Sequence, residues 1–230
     1  DPCQMRRPGV PAQPVARPSE MPRPRAAASN SWSAGTQRTR PATGPARAAT
    51  EPRPEPAPDD EIVPLSRARL ATAEHLHRSV VTAAHALVVV EVDWGAVDEA
   101  RRGTGLSYLP FAGRAVVDAL RRFPHLNATF DADRLLVHPR IHLGIAVDVA
   151  DEALLVPVVH DADDLRIGAL AERVAELADQ ARRHRLPGGA LDGATFTLTN
   201  IGSYGTVVAA PIINQPQVAI LSTDGVRMRP

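Results

Sequence analysis

Residues 193–205 read Gly-Ala-Thr-Phe-Thr-Leu-Thr-Asn-Ile-Gly-Ser-Tyr-Gly, and residues 211–221 read Pro-Ile-Ile-Asn-Gln-Pro-Gln-Val-Ala-Ile-Leu. In the first stretch threonine alternates with apolar residues, which predicts a strand, and the glycines after it predict a turn. The second stretch predicts an extended loop bounded by prolines, followed by an apolar strand. Thr199 therefore lies at the end of a strand beside a turn, in which Asn200 and Gly202 fit positions of positive φ.

The composition argues against several classes of function. The chain has 230 residues with 26 basic and 26 acidic side chains, so no basic excess favours nucleic acid or an anionic membrane surface. The apolar runs are too short to span a bilayer. Cys3 is the single cysteine, so no disulfide framework and no metal site is expected, and a reducing, cytoplasmic location fits best.

The chain divides into two regions of different composition. Residues 1–60 hold most of the 22 prolines, mixed with alanine and arginine. Such a composition buries too little apolar area to offset the entropy of ordering the chain, so we predict a disordered linker. From residue 61 to residue 230 apolar periodicity returns, and we predict one folded domain.

The domain is predicted to be α+β, with long helices covering a mixed sheet, because helices and strands do not alternate regularly. Ser66 is an expected N-cap for the first helix. The predicted helices cover residues 67–85, 96–102, 110–120 and 165–184. The predicted strands cover residues 87–92, 127–130, 135–138, 143–149, 154–159, 194–201 and 217–222.

Further landmarks accompany the two opening stretches in a fixed order. They are Pro64-Leu-Ser-Arg-Ala-Arg69, Val90-Glu-Val-Asp93, Leu109-Pro-Phe111, Pro124-His-Leu-Asn127, Leu143-Gly-Ile-Ala-Val-Asp148, Leu155-Val-Pro-Val-Val159 and Asp163-Asp-Leu165. Together they closely resemble the catalytic domain of the dihydrolipoyl acyltransferases, the E2 components of 2-oxo acid dehydrogenase complexes. The resemblance covers residues 61–230.

This resemblance implies a fold, a reaction and partners. The fold is that of chloramphenicol acetyltransferase, assembled as a homotrimer or a larger core. The reaction moves an acyl group between a dihydrolipoyl group and coenzyme A, beside a 2-oxo acid decarboxylase and a dihydrolipoyl dehydrogenase. The sequence contains no lysine, and a lipoyl group is attached through a lysine amine. The lipoyl group is therefore expected on another chain.

The resemblance also implies roles for three residues. Thr199 matches the family's hydroxyl that stabilises the oxyanion of the tetrahedral intermediate; the alternative is an ordinary strand threonine, as Thr195 and Thr197 are expected to be. Arg67 and Arg69 match an entry arm near the coenzyme A channel and could bind its phosphates. The alternative for both arginines is a solvated helix face.

The family's base is the histidine of a His-Arg-x-x-Asp-Gly motif that follows the Pro-Ile-Ile-Asn segment. Residues 1–230 contain no such motif. His184 begins a partial match, but Gly188 stands where the aspartate belongs; the other histidines are expected to be surface or capped residues. We therefore expect a catalytic domain that is incomplete at its C-terminus. The alternatives are a non-catalytic assembly subunit, a truncated relic, or a stand-alone acyltransferase for a small acceptor.

Overall fold

The computed structural model describes residues 55–131, 133–149 and 153–228. Internal contacts define a compact unit over Glu61–Pro230. Most of the predicted linker, residues 1–54, lies outside the described residues, so its disorder stays a prediction. Within the described part of the chain, none of the helices combines the length and apolar composition needed to cross a bilayer.

The architecture is α+β. The helices are α1 (Arg67–Thr82), α2 (Gly95–Arg101), α3 (Tyr108–Arg122) and α4 (Ile167–Arg182). The strands are β1 (Ala128–Asp131), β2 (Arg134–Val137), β3 (Leu143–Ile145), β4 (Val147–Val149), β5 (Ala153–Leu155), β6 (Val158–Val159), β7 (Phe196–Asn200) and β8 (Ile220–Thr223).

A mixed four-stranded sheet in the order β6-β3-β7-β8 forms the centre of the described fold. Strand β3 pairs antiparallel with β6 and parallel with β7, which in turn pairs parallel with β8. The β1–β2 and β4–β5 pairs are separate two-stranded antiparallel sheets. The carboxyl ends of β7 and β8 therefore lie side by side, at Thr199 and Asn200 on one strand and Ser222 and Thr223 on the other.

Helices α3 and α4 pack against each other and against one face of this sheet. Leu143 of β3, Leu198 of β7 and Leu170 of α4 are fully buried in the shared core. Gly113 lets the two helices approach, because a Cβ added there would lie 3.3 Å from a methyl group of Leu170. Burying each leucine stabilises the fold by roughly 1.5–3 kcal/mol.

Helix α1 begins as the sequence predicts. Ser66 is the N-cap, and its side chain accepts a hydrogen bond from the Arg69 N–H at 3.2 Å. The only fully buried side chain of the helix is the polar Ser79. Polar contacts with another segment, described below, therefore contribute to holding α1 in place.

The predicted strand over residues 87–92 is wrong. The segment is not assigned to any strand, and Leu87, Val88, Val89, Val90 and Val92 are all more than half exposed. Its β-branched composition favours an extended backbone, but a strand also needs a ladder of hydrogen bonds to a neighbour. None of the paired strands in the described ranges supplies that ladder.

The predicted strands over residues 143–149 and 154–159 are each divided in two. Ala146 separates β3 from β4, and Pro157 lies between β5 and β6. The chain changes sheets at these points, since β3 and β6 belong to the central sheet whereas β4 pairs with β5. Apolar runs show no such change, because both sheets bury the same residue types.

Candidate functional site

Thr199 is half-buried near the carboxyl end of β7, opposite Ser222 of β8. Its carbonyl oxygen accepts a hydrogen bond from the Thr223 hydroxyl at 3.4 Å. Its own hydroxyl makes no hydrogen bond to any described residue. The strand pairing therefore fixes the Thr199 backbone and leaves the hydroxyl available as a donor.

The neighbouring threonines use their hydroxyls differently. Thr197 and Thr199 share one face of the sheet because strand side chains alternate, and Thr195 lies just before β7. The Thr195 hydroxyl accepts a hydrogen bond from the backbone N–H of His142 at 3.0 Å. The Thr197 hydroxyl donates to the Gln217 side chain at 2.7 Å. Thr199 is thus the member of the three whose hydroxyl is not used to join the described elements.

The sequence predicts positive φ at Asn200 and Gly202 in the turn after β7, but neither residue has it. The Asn200 side chain accepts a hydrogen bond from the Gly202 N–H at 3.1 Å, and the left-handed residue of the turn is Gly205, with φ of 74°. Glycine is required at position 202 by space, since a Cβ there would lie 2.7 Å from the carbonyl oxygen of Asp224. The turn therefore packs against the residues that follow β8.

Ser222 is a polar residue of this region that the sequence reasoning did not identify. Its hydroxyl oxygen is buried and has no hydrogen-bond partner among the described residues. Ser222 and Thr199 are register partners in a parallel pair, so their side chains point to the same face of the sheet. Two hydroxyls without partners in the described chain therefore lie on neighbouring strands at the same level.

The loop over residues 211–217 is held by two side chains of α1 and by His85, which follows that helix. His75 contacts the Asn214 side chain at 2.8 Å, and the Ser79 hydroxyl donates to the carbonyl oxygen of Ile213 at 2.6 Å. The ring of His85 accepts a hydrogen bond from the Ile213 N–H at 3.0 Å. Sequence spacing gave no sign of these contacts, because the partners are more than a hundred positions apart.

Arg67 and Arg69 lie in the first turn of α1 with exposed side chains. Neither guanidinium forms an ion pair or a hydrogen bond with another described residue, and the structure does not bring either of them into contact with Thr199. His184 lies just after α4 in a left-handed conformation, with φ of 53°, and its N–H donates to the carbonyl oxygen of Ala181. Its position is that of a residue ending a helix.

An ionic cluster lies at the amino end of β3, at the edge of the sheet opposite to Thr199. His142 directly precedes this strand. Arg140 pairs with Asp164, with Asp161 at 2.9 Å and with Asp163 at 3.7 Å. The Arg140 hydrogen bond holds the pKa of the Asp161 carboxyl below its usual range, and Asp164 and Asp161 raise the pKa of Arg140. No group of side chains suited to a metal ion occurs among the residues that the structure describes.

Comparison with models of known protein families identifies the family of this chain. Residues 57–230 match the model of the 2-oxoacid dehydrogenases acyltransferase family, specifically its catalytic domain. The chain belongs to this family. The resemblance inferred from the motifs of the acyltransferase domain is thereby confirmed.

Individual acyltransferases are similar over most of the chain. The succinyltransferase component of the Bacillus subtilis 2-oxoglutarate dehydrogenase complex is 38% identical over 180 residues, which are 74% of this chain and 43% of that protein. The acetyltransferase component of the Mycobacterium bovis pyruvate dehydrogenase complex is 38% identical over 177 residues, 72% of this chain and 32% of that protein. The chain therefore spans less than half of either relative.

A solved structure shows the same architecture. The dihydrolipoamide acetyltransferase of Azotobacter vinelandii is 31% identical, with a TM-score of 0.72 over 77% of this chain and 79% of that one. The roles of a serine, a histidine and an asparagine in the catalytic mechanism of that enzyme have been investigated. The acyltransferase domain described here thus shares a fold with an enzyme of the same family.

Proposed function

We propose that this chain transfers an acyl group between a dihydrolipoyl group and coenzyme A, as part of a 2-oxo acid dehydrogenase complex. Family membership supports the class of reaction. The observation that carries the proposal is the Thr199 hydroxyl, which has no structural partner among the described residues although the hydroxyls of Thr195 and Thr197 do.

In the proposed reaction, the sulfur of the attacking thiol forms a bond to the thioester carbonyl carbon. The carbonyl oxygen becomes an oxyanion, to which the Thr199 hydroxyl donates a hydrogen bond. The attacking thiol loses one proton to a base. When the original carbon–sulfur bond breaks, the leaving sulfur takes up one proton, so the number of protons is unchanged. A donor of this kind contributes about 2.7–4 kcal/mol to transition-state stabilisation. Thr199 has this role alone in the proposed reaction, and the base is proposed to lie outside the described residues.

Arg67 and Arg69 are proposed to bind the phosphates of coenzyme A. Their side chains are exposed and are not neutralised by an acidic neighbour in the described chain, so both guanidiniums can pair with phosphate oxygens. Because residues 1–230 contain no lysine, the lipoyl group is proposed to be attached outside these residues.

The finer assembly is also a proposal. The mixed sheet with helices on one face fits the chloramphenicol acetyltransferase fold, and the similar proteins are components of multienzyme complexes. We propose a homotrimer or a larger core that works in the cytoplasm with a 2-oxo acid decarboxylase and a dihydrolipoyl dehydrogenase. The folded domain is proposed to begin near residue 61, after a linker.

The test uses the protein as it is made in its host, with free dihydrolipoamide as acceptor and acetyl-, succinyl- or isobutyryl-coenzyme A as donor. Thr199→Val keeps the β-branched shape but removes the hydroxyl, whereas Thr199→Ser keeps the hydroxyl. We expect Thr199→Val to lower kcat about 100- to 1,000-fold and Thr199→Ser to retain most of the activity. Circular dichroism of both variants checks that the fold is unchanged.

Two results would decide against this function. Equal activity of Thr199→Val and the wild type would remove Thr199 from the mechanism. A wild-type protein that assembles but transfers none of the three acyl groups would favour the non-catalytic assembly subunit.

A further inference from the structure

A chain of hydrogen bonds runs from α1 to the face of β7 that carries Thr199. His75 Nε2 lies 2.8 Å from Asn214 Oδ1, and Asn214 Nδ2 lies 3.3 Å from the Thr197 hydroxyl. The Thr197 hydroxyl in turn lies 2.7 Å from Gln217 Oε1. The chain joins the first helix, the loop over residues 211–217 and the central sheet.

The direction of every bond in this chain is fixed from its far end. Gln217 Nε2 donates to the carbonyl oxygen of Ala194 at 3.1 Å, so Gln217 Oε1 accepts the only proton of the Thr197 hydroxyl. The Thr197 oxygen can then only accept, and Asn214 Nδ2 is its donor. Asn214 Oδ1 therefore faces His75, whose Nε2 must carry a proton and donate it.

Burial makes this chain costly to disrupt. Thr197 is 1% exposed and Gln217 is 4% exposed, so water cannot readily replace their partners. An unsatisfied buried polar group loses its interactions with water without gaining new ones. The lack of a side chain at Gly144 leaves room for the Thr197 hydroxyl. A Cβ at this position would lie 3.2 Å from that hydroxyl and 2.8 Å from a methyl group of Val156.

The two histidines that contact the loop have opposite roles. His85 Nε2 accepts from the Ile213 N–H, and its Nδ1 lies 3.1 Å from the carbonyl oxygen of Ala83, which assigns the proton to Nδ1. His75 instead donates from Nε2, which both the neutral Nε2–H tautomer and the imidazolium can do. The requirement at position 75 is thus for a donor, not for a particular charge.

We propose that His75 is a positioning residue for acyl transfer, which orients Asn214 and Thr197 and thereby holds the 211–217 loop and β8 beside Thr199. This inference rests on the proposed function. Thr197 and Thr199 are two residues apart on one face, and the loop leads directly into β8, where Ser222 pairs with Thr199. A loop released from His75 would loosen the strand that defines the position of the Thr199 backbone.

Four variants test the requirement for a donor. His75→Ala removes the side chain, His75→Gln can place an N–H near the position of Nε2, and His75→Glu places an acceptor against Asn214 Oδ1. His77→Ala is the matched control, since His77 is an exposed histidine of the same helix. Thermal unfolding of each variant confirms that it is folded before the other measurements are made.

Two readouts are needed, one of which does not depend on activity. Hydrogen exchange of residues 211–218, followed by mass spectrometry, reports whether the loop is held. We expect exchange about tenfold faster in His75→Ala and His75→Glu, and unchanged in His75→Gln and His77→Ala. In the acyl-transfer assay we expect kcat/KM about tenfold lower in the first two variants and within about threefold of wild type in the others.

The outcomes separate the inference from the function on which it rests. If His75→Gln is no better than His75→Glu, His75 is not a hydrogen-bond donor and the proposal is overturned. If exchange rises while kcat/KM stays at the wild-type value, His75 holds the loop without serving the reaction, which also overturns it. A wild-type protein without acyl transfer would overturn the proposed function, whereas the exchange pattern would still decide whether His75 holds the loop.

Discussion

Replacing Gly202 by alanine is expected to destabilise the turn that follows Thr199. The added methyl group would lie 2.7 Å from the carbonyl oxygen of Asp224, 2.8 Å from its carbon and 3.0 Å from the nitrogen of Gly225. All three atoms belong to the backbone, which cannot rotate away as a flexible side chain can. Ordinary contact begins near 3.4 Å, so the turn or the segment after β8 has to move by roughly 0.7 Å.

The cost of such overpacking is about 1–3 kcal/mol. For a domain of this size, each kcal/mol lowers the melting temperature by about 2–4 °C, so we expect a decrease of roughly 2–12 °C. The measurement is thermal unfolding followed by circular dichroism. Activity should fall as well, because the displaced turn adjoins Thr199.

Gly168→Ala is the matched control for this substitution. Gly168 is the second residue of α4, and an added Cβ would have nothing within 4 Å. The same chemical change should stabilise the protein there by up to about 1 kcal/mol, because alanine loses less backbone entropy than glycine in a helix. If Gly202→Ala melts at or above the wild-type temperature, or both variants melt lower by the same amount, the steric reasoning is refuted.

Two further predictions concern the core and the ionic cluster. Leu143→Ala should lower the free energy of unfolding, measured by urea denaturation, by about 2–5 kcal/mol because Leu143 is fully buried. Leu135→Ala, on the exposed β2, should lower it by less than about 1 kcal/mol. Similar losses in the two variants would contradict the described core. Arg140 lowers the pKa of Asp161 in the folded state. The stabilisation from this pair is therefore complete above the ordinary carboxyl pKa of about 3.9, and it is lost as the pH falls through the lower pKa of Asp161 in the folded protein. The difference in urea midpoint between wild type and Arg140→Gln should therefore shrink as the pH is lowered from about 5 to about 3, and growth of that difference would contradict the assignment.

Local patterns predicted all four α-helices of the described chain, and α2 (Gly95–Arg101) lies within one residue of its predicted bounds. Helices α1, α3 and α4 lie within two or three residues of their predicted bounds at either end, because each has apolar periodicity or a recognisable end signal. The N-cap at Ser66 is confirmed by its hydrogen bond to the Arg69 N–H. These features depend on residues three or four apart, which the sequence displays directly.

Strands were predicted less well, because a strand is defined by its neighbour. Residues 87–92 have the composition of a strand but are not assigned to any strand in the described part of the chain. The runs over residues 143–149 and 154–159 each contribute to two sheets, and the division at Ala146 and Pro157 follows from which strand lies alongside. Apolar composition predicts burial and an extended backbone, and does not say which edge supplies the hydrogen bonds.

The sequence by itself determined the family, through the order of its motifs, and singled out Thr199 within them. The tertiary structure alone showed that the hydroxyls of Thr195 and Thr197 are engaged and that Thr199 has no described partner. It alone brought His75 to Asn214, which lie 139 positions apart in the chain. A motif records neighbours along the chain, whereas the partner of a polar group is whichever group folding brings within hydrogen-bonding distance, and that depends on the packing of every element between them.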